Sequence, residues 1–311
     1  MTQTVGIVGA GAVAHALCAA LTRPGAHGAL PLNPGEDPPA DHFVGRAMVW
    51  ARRPEAAASV ARFGGGRAVV AEAIADLQAC DVILVAVSDA SIGAVGEQLR
   101  AAFLGAGPTP RAVFHTGGAR TGEDALAALA STSAALGSLH PLVAVAHEPA
   151  PSPELFVGMP FAVEATRPDA IALGRQLIGT TGGFEVELPA ASTPGEARLQ
   201  KMRYHALATL VATGVVTLVD RAAASMVPLD ADGSGDLEVR AAFRRAYGEL
   251  AGSAVRNVLR DRGAAVLTGA MARSDDALVE QHIEALGGAP ETDLYRAIEA
   301  AARQMLQEDT P

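Results

Sequence analysis

Thr4-Val5-Gly6-Ile7-Val8-Gly9-Ala10-Gly11-Ala12-Val13-Ala14 is the stretch whose reading decides the fold. Thr4 to Val8 has the pattern of a short buried strand, and an apolar helical pattern runs on to about Leu21. Between them stands G-x-G-x-x-A, the dinucleotide fingerprint in the strand-turn-helix context that it requires. Gly9 permits the tight turn, Gly11 lets a pyrophosphate approach the backbone, and Ala14 keeps helix close to strand. Phosphates would lie on the helix N-terminus, against Gly9, Ala10, Gly11, Ala12 and Val13.

Working outward, Arg23 to Gly45 holds five prolines and four glycines and reads as a surface insertion. Ala47-Met48-Val49-Trp50 is the expected second strand, and Arg52-Arg53 follows it. An acidic residue there would bind the ribose hydroxyl of NAD, whereas two arginines suit the 2′-phosphate of NADP(H). A third strand is expected at Arg67–Val70 and a short helix over Ala71–Ala79. Asp81–Val87 is the most strand-like run in the chain, with Val87 and Ser88 placed beside the cofactor before the next helix. Arg111–Gly118 and Ala135–Leu142 place His115 and His140 where strands of such a sheet end. Either histidine could line the nicotinamide pocket or bond a neighbouring carbonyl. Phe161–Ala165, a helix over Pro168–Ile178 and Gly183–Glu187 complete the sheet.

After Leu188 strand patterns largely stop. The expectation is therefore an α/β protein, with an N-terminal Rossmann doubly wound sheet (residues 1–190) followed by an all-α C-terminal domain (residues 191–311). A long helix is predicted from Thr193 to Met226, opened by Thr193-Pro194-Gly195-Glu196 as cap, first-turn proline and capping-box acid. Ala206 to Val219 carries no charge; it is too short by itself to span a bilayer and is predicted to be buried on most sides. Lys201 is the only lysine among 24 basic residues. An ammonium can be deprotonated when partly buried and a guanidinium cannot, so a lone lysine in so arginine-biased a chain suggests a site. His205 lies one helical turn on, on the same face.

The remaining chain narrows the chemistry. Net charge is −10 without a basic cluster, which argues against nucleic acid or an anionic membrane as partner. Two cysteines, Cys18 and Cys80, form no disulfide framework and suit a reducing, cytoplasmic compartment. Asp230–Gly235 resembles the start of a calcium loop, but the twelfth position is Ala241 where a bidentate glutamate is required. Neither zinc-ligand spacing nor a serine-nucleophile motif is present.

His115-Thr116 before a glycine turn, Gly137-Ser138-Leu139-His140-Pro141-Leu142, Tyr204-His205-Ala206, and Leu267-Thr268-Gly269 leading to Ala272-Arg273-Ser274-Asp275 come in this order. In these motifs the chain resembles a family of bacterial Rossmann-like proteins whose helical C-terminal part is a domain of unknown function. That family is similar to ketopantoate reductases, pyrroline-5-carboxylate reductases and β-hydroxyacid dehydrogenases. The resemblance implies an NADP(H) oxidoreductase acting on a small molecule such as a 2-keto acid. It also implies a homodimer formed through the helical domain, for which Ala206–Val219 is a candidate surface. An imine or cyclic-imine reductase, a deazaflavin-dependent NADP reductase and a non-catalytic NADP-binding protein are the alternatives. The chain departs from the family at Thr213, where asparagine is usual, at Ala270 for proline and at Ser274 for glycine. Hydride transfer needs a cation or proton donor at the acceptor, so Lys201, His205 and His140 are the expected catalytic residues, in a pocket closed by the helical domain.

Overall fold

The computed structural model describes residues 2–23, 43–104, 107–145, 152–227, 235–261, 263–288 and 290–308. Most of the Pro/Gly-rich insertion and of the Asp230–Gly235 turn therefore lies outside the described residues. The chain forms two compact units, Met1–Ala208 and Thr209–Pro311.

The first unit alternates strand and helix. In order it comprises β1 (Gln3–Val8), α1 (Ala12–Thr22), β2 (Val44–Trp50), α2 (Pro54–Arg62), β3 (Ala68–Val70), β4 (Val82–Val85) and α3 (Asp89–Phe103). β5 (Ala112–His115), α4 (Gly122–Ala125), β6 (Ala135–Pro141), β7 (Pro160–Ala165), α5 (Pro168–Thr181), β8 (Phe184–Glu185) and the start of α6 (Pro194–Met226) follow. The sheet order is β3-β2-β1-β4-β5-β6-β7-β8. The first six strands pair in parallel, β7 runs antiparallel to β6, and β8 is parallel to β7. An order of 3-2-1-4-5-6 is the doubly wound Rossmann arrangement, whose strand order reverses between β1 and β4. The predicted helix over Ala71–Ala79 is instead a 3₁₀ turn over Ile74–Ala79.

Alternation along the central strands explains the continuous apolar runs. Val5 and Ile7 of β1, Val82 and Leu84 of β4, and Phe114 of β5 face one core, with Leu17 of α1 and Leu173 of α5. Val8, Ile83, Val85 and Val113 face the other, with Ile92 and Leu99 of α3. A strand covered by helices on both sides must be apolar at every position, which is why β4 reads as Val-Ile-Leu-Val. Phe114 is fully buried; its truncation to alanine would cost about 3–5 kcal/mol.

The second unit holds the rest of α6 with α7 (Leu237–Val258), α8 (Gly269–Ala272), α9 (Asp276–Leu286) and α10 (Pro290–Glu308). The fold class is thus as predicted. The composition change near residue 190 marks the end of the strands, whereas the compact units divide at Ala208, because the first turns of α6 pack on the sheet unit. The expected burial of Ala206–Val219 is not observed. Leu207, Leu210, Val211, Val215, Val216 and Leu218 are all exposed. By length and composition α6 is also apolar enough to cross a membrane, with a best window of mean hydropathy 1.5 that is 6% buried. An uncharged sequence tells what a face avoids, not what covers it. Asp275 caps α9 by accepting from Leu278 N at 3.2 Å. Ser274 has φ +52°, the sole non-glycine at positive φ among the described residues, in the position where the resembled family has glycine.

Candidate functional site

Two constellations lie at the C-terminal edge of the sheet. The first is a cleft of about 770 Å³ lined by Gly9, Ala10, Gly11, Ala12 and Val13, by Arg52 and Arg53, and by Val87, Ser88 and Thr116. Gly9 has φ +129°, and a Cβ there would strike the carbonyl oxygen of Ala86. This position therefore needs glycine. A Cβ at Gly11 would meet nothing within 4 Å, so the space beside the turn is open. α1 begins at this opening with no side-chain cap and no acidic residue in its first turn. Its first N–H groups are left for an anion. Arg52 and Arg53 are exposed at the end of β2, and Arg53 is loosely paired with Glu55 at 3.7 Å. Both arginines thus present cations at the cleft, and no carboxylate lines it among the described residues.

The second constellation is built from side chains. It begins one residue beyond Thr116. Gly117 O accepts from Ser138 Oγ at 3.1 Å, and Ser138 Oγ accepts from Lys201 Nζ at 2.9 Å. Lys201 is 2% exposed and Ser138 0%. His140, two residues along β6, shares a 3.0 Å hydrogen bond between Nδ1 and the Tyr204 hydroxyl. The His140 and His205 rings meet edge to face at 5.6 Å. A Cβ at Gly118 would lie 2.7 Å from His140 Nε2 and closer still to His205 Nδ1. Only glycine lets the turn pass between the two rings.

Helix α6 enters this cluster because its first turns are pinned. Thr193 Oγ1 accepts from Glu196 N at 3.2 Å, and the Glu196 carboxylate reaches the N–H of Ser192 rather than that of Thr193, one residue beyond the predicted capping box. Arg198 pairs with Asp124 at 2.6 Å, and Gln200 Nε2 donates to Pro189 O at 2.6 Å. The helical period then carries Lys201, Tyr204 and His205 onto the strand ends.

Burial sets the charges. It lowers the Lys201 pKa, with the Glu164 carboxylate opposing that shift. Burial in turn raises Glu164, opposed first by the Gly122 N–H, which donates to Oε1 at 2.7 Å. Burial, followed by the Lys201 charge, pulls His140 down to about 3 and His115 to about 4. Both rings are therefore neutral near pH 7. Burial pushes the Tyr204 hydroxyl up to about 12, so it keeps its proton. Lys201 and Glu164 also edge a separate pocket of about 240 Å³ with Thr121 and Gln200.

Comparison with known proteins fits this architecture. Residues 159–302 match the family model described as "Domain of unknown function (DUF2520)". Among solved structures, protein TM1727 from Thermotoga maritima is 17% identical, with 99% of this chain and 100% of that chain covered and a TM-score of 0.64. A protein from Bacteroides fragilis, provisionally described as an NADP oxidoreductase, is 15% identical over 97% of this chain and 98% of its own, with a TM-score of 0.63. A Plasmodium falciparum pyrroline carboxylate reductase with NADP bound is 11% identical, covering 97% of each chain, with a TM-score of 0.53. No curated protein sequence matches the chain. What these structures share with it is the fold.

The structure places Gly9–Val13, Arg52, Arg53, Val87 and Ser88 around one cleft. His115, expected at the cofactor, is instead 0% exposed and absent from the cleft lining; its Nδ1 accepts from Gly117 N at 3.1 Å. The neighbouring Thr116 reaches the cleft because successive residues leave a strand on opposite faces. Lys201, His140 and His205 come together, but the lysine is directed at Ser138. Ser138, Tyr204 and Glu164 belong to the cluster and were not assigned roles from sequence. The Tyr204-His205 pair, three and four residues from Lys201, is the signal for Tyr204; Ser138 lies in the Gly137–Leu142 motif without a role being evident there, and nothing local marks Glu164.

Proposed function

We propose that this protein is an NADP(H)-dependent oxidoreductase that reduces the carbonyl of a small molecule, of the 2-keto acid class. The observation that carries this reading is adjacency. The cleft lining includes Thr116; of the next two residues, Gly117 is held through Ser138 by a buried ammonium and Gly118 is flanked by two imidazoles. The glycine turn and α1 would hold the pyrophosphate, and Arg52 and Arg53 the 2′-phosphate. When bound, the cofactor supplies the hydride. The chain supplies the proton and the electrostatics. Tyr204, oriented by neutral His140, carries a proton beside His205, and Lys201 keeps the surroundings positive as negative charge grows on the substrate oxygen.

Reduction of a C=N bond is the second reading. A cationic iminium would face the buried Lys201 ammonium, which favours the carbonyl. A homodimer is part of the proposal. Leu207, Leu210 or Val211, Gly214 or Val215, and Leu218 recur at helical spacing along the exposed part of α6, with mostly alanine and threonine between them, which supports an apolar surface for a second copy. The decisive experiment is NADPH oxidation over a panel of 2-keto acids and cyclic imines. Keto acid turnover supports the proposal and imine turnover alone moves it to the second reading. NADPH binding without turnover of any kind leaves a non-catalytic binder, and no binding ends the proposal.

A further inference from the structure

Lys201 is the obvious proton donor by residue type, yet its geometry is that of a strut. It is 2% exposed, and its Nζ donates to a hydroxyl that is itself fully buried. That hydroxyl in turn donates a hydrogen bond to Gly117 O at 3.1 Å. The chain of bonds therefore ends on the backbone of the turn that runs between His140 and His205. From the other side, the Gly117 N–H is held by His115 Nδ1 at 3.1 Å. Both polar groups of Gly117 are thus fixed by buried side chains, Ser138 and His115, with the Lys201 ammonium behind Ser138. A charge-assisted donor holds more firmly than a neutral one, which gives a reason for an ammonium at the root of the chain. The exposed edge of the cluster belongs to other groups. His140, Tyr204 and His205 are all partly exposed.

We infer that Lys201 is a positioning residue, which acts through Ser138 to clamp the Gly117–Gly118 turn against His140 and His205, and that the His140–Tyr204 pair carries the transferred proton. The catalytic half of this statement rests on the oxidoreductase reading; the clamp does not. In the step itself, the hydride adds to the carbonyl carbon, the carbon–oxygen π pair moves to oxygen, and that oxygen takes the Tyr204 hydroxyl proton. The resulting phenolate regains a proton from water, either directly or through neutral His140, whose Nε2 takes up a proton as its Nδ1 releases one.

The test is a double-mutant cycle of Ser138→Ala and Lys201→Met, read as kcat and KM for NADPH and as hydrogen exchange at the Gly117 amide. Residues that act as one unit are non-additive. Each single variant should lower kcat by roughly 10–100-fold, the double should lose no more than the worse single, and KM for NADPH should hold. Gly117 exchange should rise at least about tenfold in both variants, as local opening becomes easier. Loss of the lysine charge should also raise the pKa of His140 in histidine NMR titrations. Wild-type kcat in Ser138→Ala beside a Lys201→Met variant slowed by about 10²–10⁴ would mark the lysine as the donor and overturn the inference. If no substrate is turned over, the oxidoreductase reading has failed, and exchange alone decides the clamp. Faster exchange in both variants sustains it, and unchanged exchange in either refutes it.

Discussion

The cleft at β1 and β4 and the cluster at the ends of β5 and β6 lie one residue apart along the chain, yet they are built on opposite plans. The cleft is made of backbone. Gly9 turns the chain, Gly11 leaves space, and α1 presents uncapped N–H groups to solvent. The cluster is made of side chains drawn from positions 115 to 205, and its centre excludes water. A backbone site tolerates change in its side chains but not in its glycines. A buried side-chain site fails when one polar partner is removed, because the other is left desolvated and unpaired.

The largest contrast lies in Gly11. Gly11→Val should abolish NADPH binding while leaving the thermal midpoint within a few degrees of wild type, since its side chain points into open space. Native affinity in a fluorescence titration would mean that the cleft is not a pyrophosphate site. Next is Tyr204→Phe, which keeps the ring against His140 and removes the proton. We expect kcat to fall by roughly 10²–10⁴ with NADPH affinity unchanged. A parallel loss of affinity would place Tyr204 at the cofactor instead and blur the division between the two regions.

A smaller effect concerns the cleft's charged wall at Arg52 and Arg53. Arg52→Ala should weaken NADPH binding by about 1.5–3 kcal/mol and leave NADH nearly unchanged. Equal losses for both cofactors, by calorimetry, would make the arginine structural. The gentlest test uses pH on the cluster. His115 and His140 hold folded pKa values near 4 and 3, below the ordinary 6.5. The unfolded chain therefore binds more protons between these values, and stability falls as pH drops from about 6.5 toward 3. Each histidine contributes a slope of at most about 1.4 kcal/mol per pH unit. His140→Asn should remove its share of that slope. Urea midpoints that fall with acid as steeply in the variant as in the wild type would show that His140 is not held neutral by the fold.

Legibility in the sequence follows the same division. The Rossmann sheet could be read because strand, glycine turn and helix are contiguous, and because strands buried on both faces are apolar at every position. The arginines after β2 could be read for the same reason. His115 could not be placed on the correct face, since a shift of one residue at a strand end exchanges core for cleft and gives Thr116 the cleft side. The apolar run of α6 was equally ambiguous: Ala206–Val219 has the composition of a buried helix and is exposed in the chain.

Local sequence by itself determined where the chain turns, which strands are sandwiched, and which helix ends are left open to an anion. It also singled out Lys201, through the bias of the whole chain toward arginine. Tertiary structure alone decided what Lys201 touches. Ser138, with Gly117 behind it, meets Lys201 only because parallel strand order sets β5 beside β6 and the pinned first turns aim α6 at their ends. No local propensity encodes such a meeting. Its geometry is fixed by the packing of elements far apart in sequence, and the charge of a buried group by what that packing leaves around it.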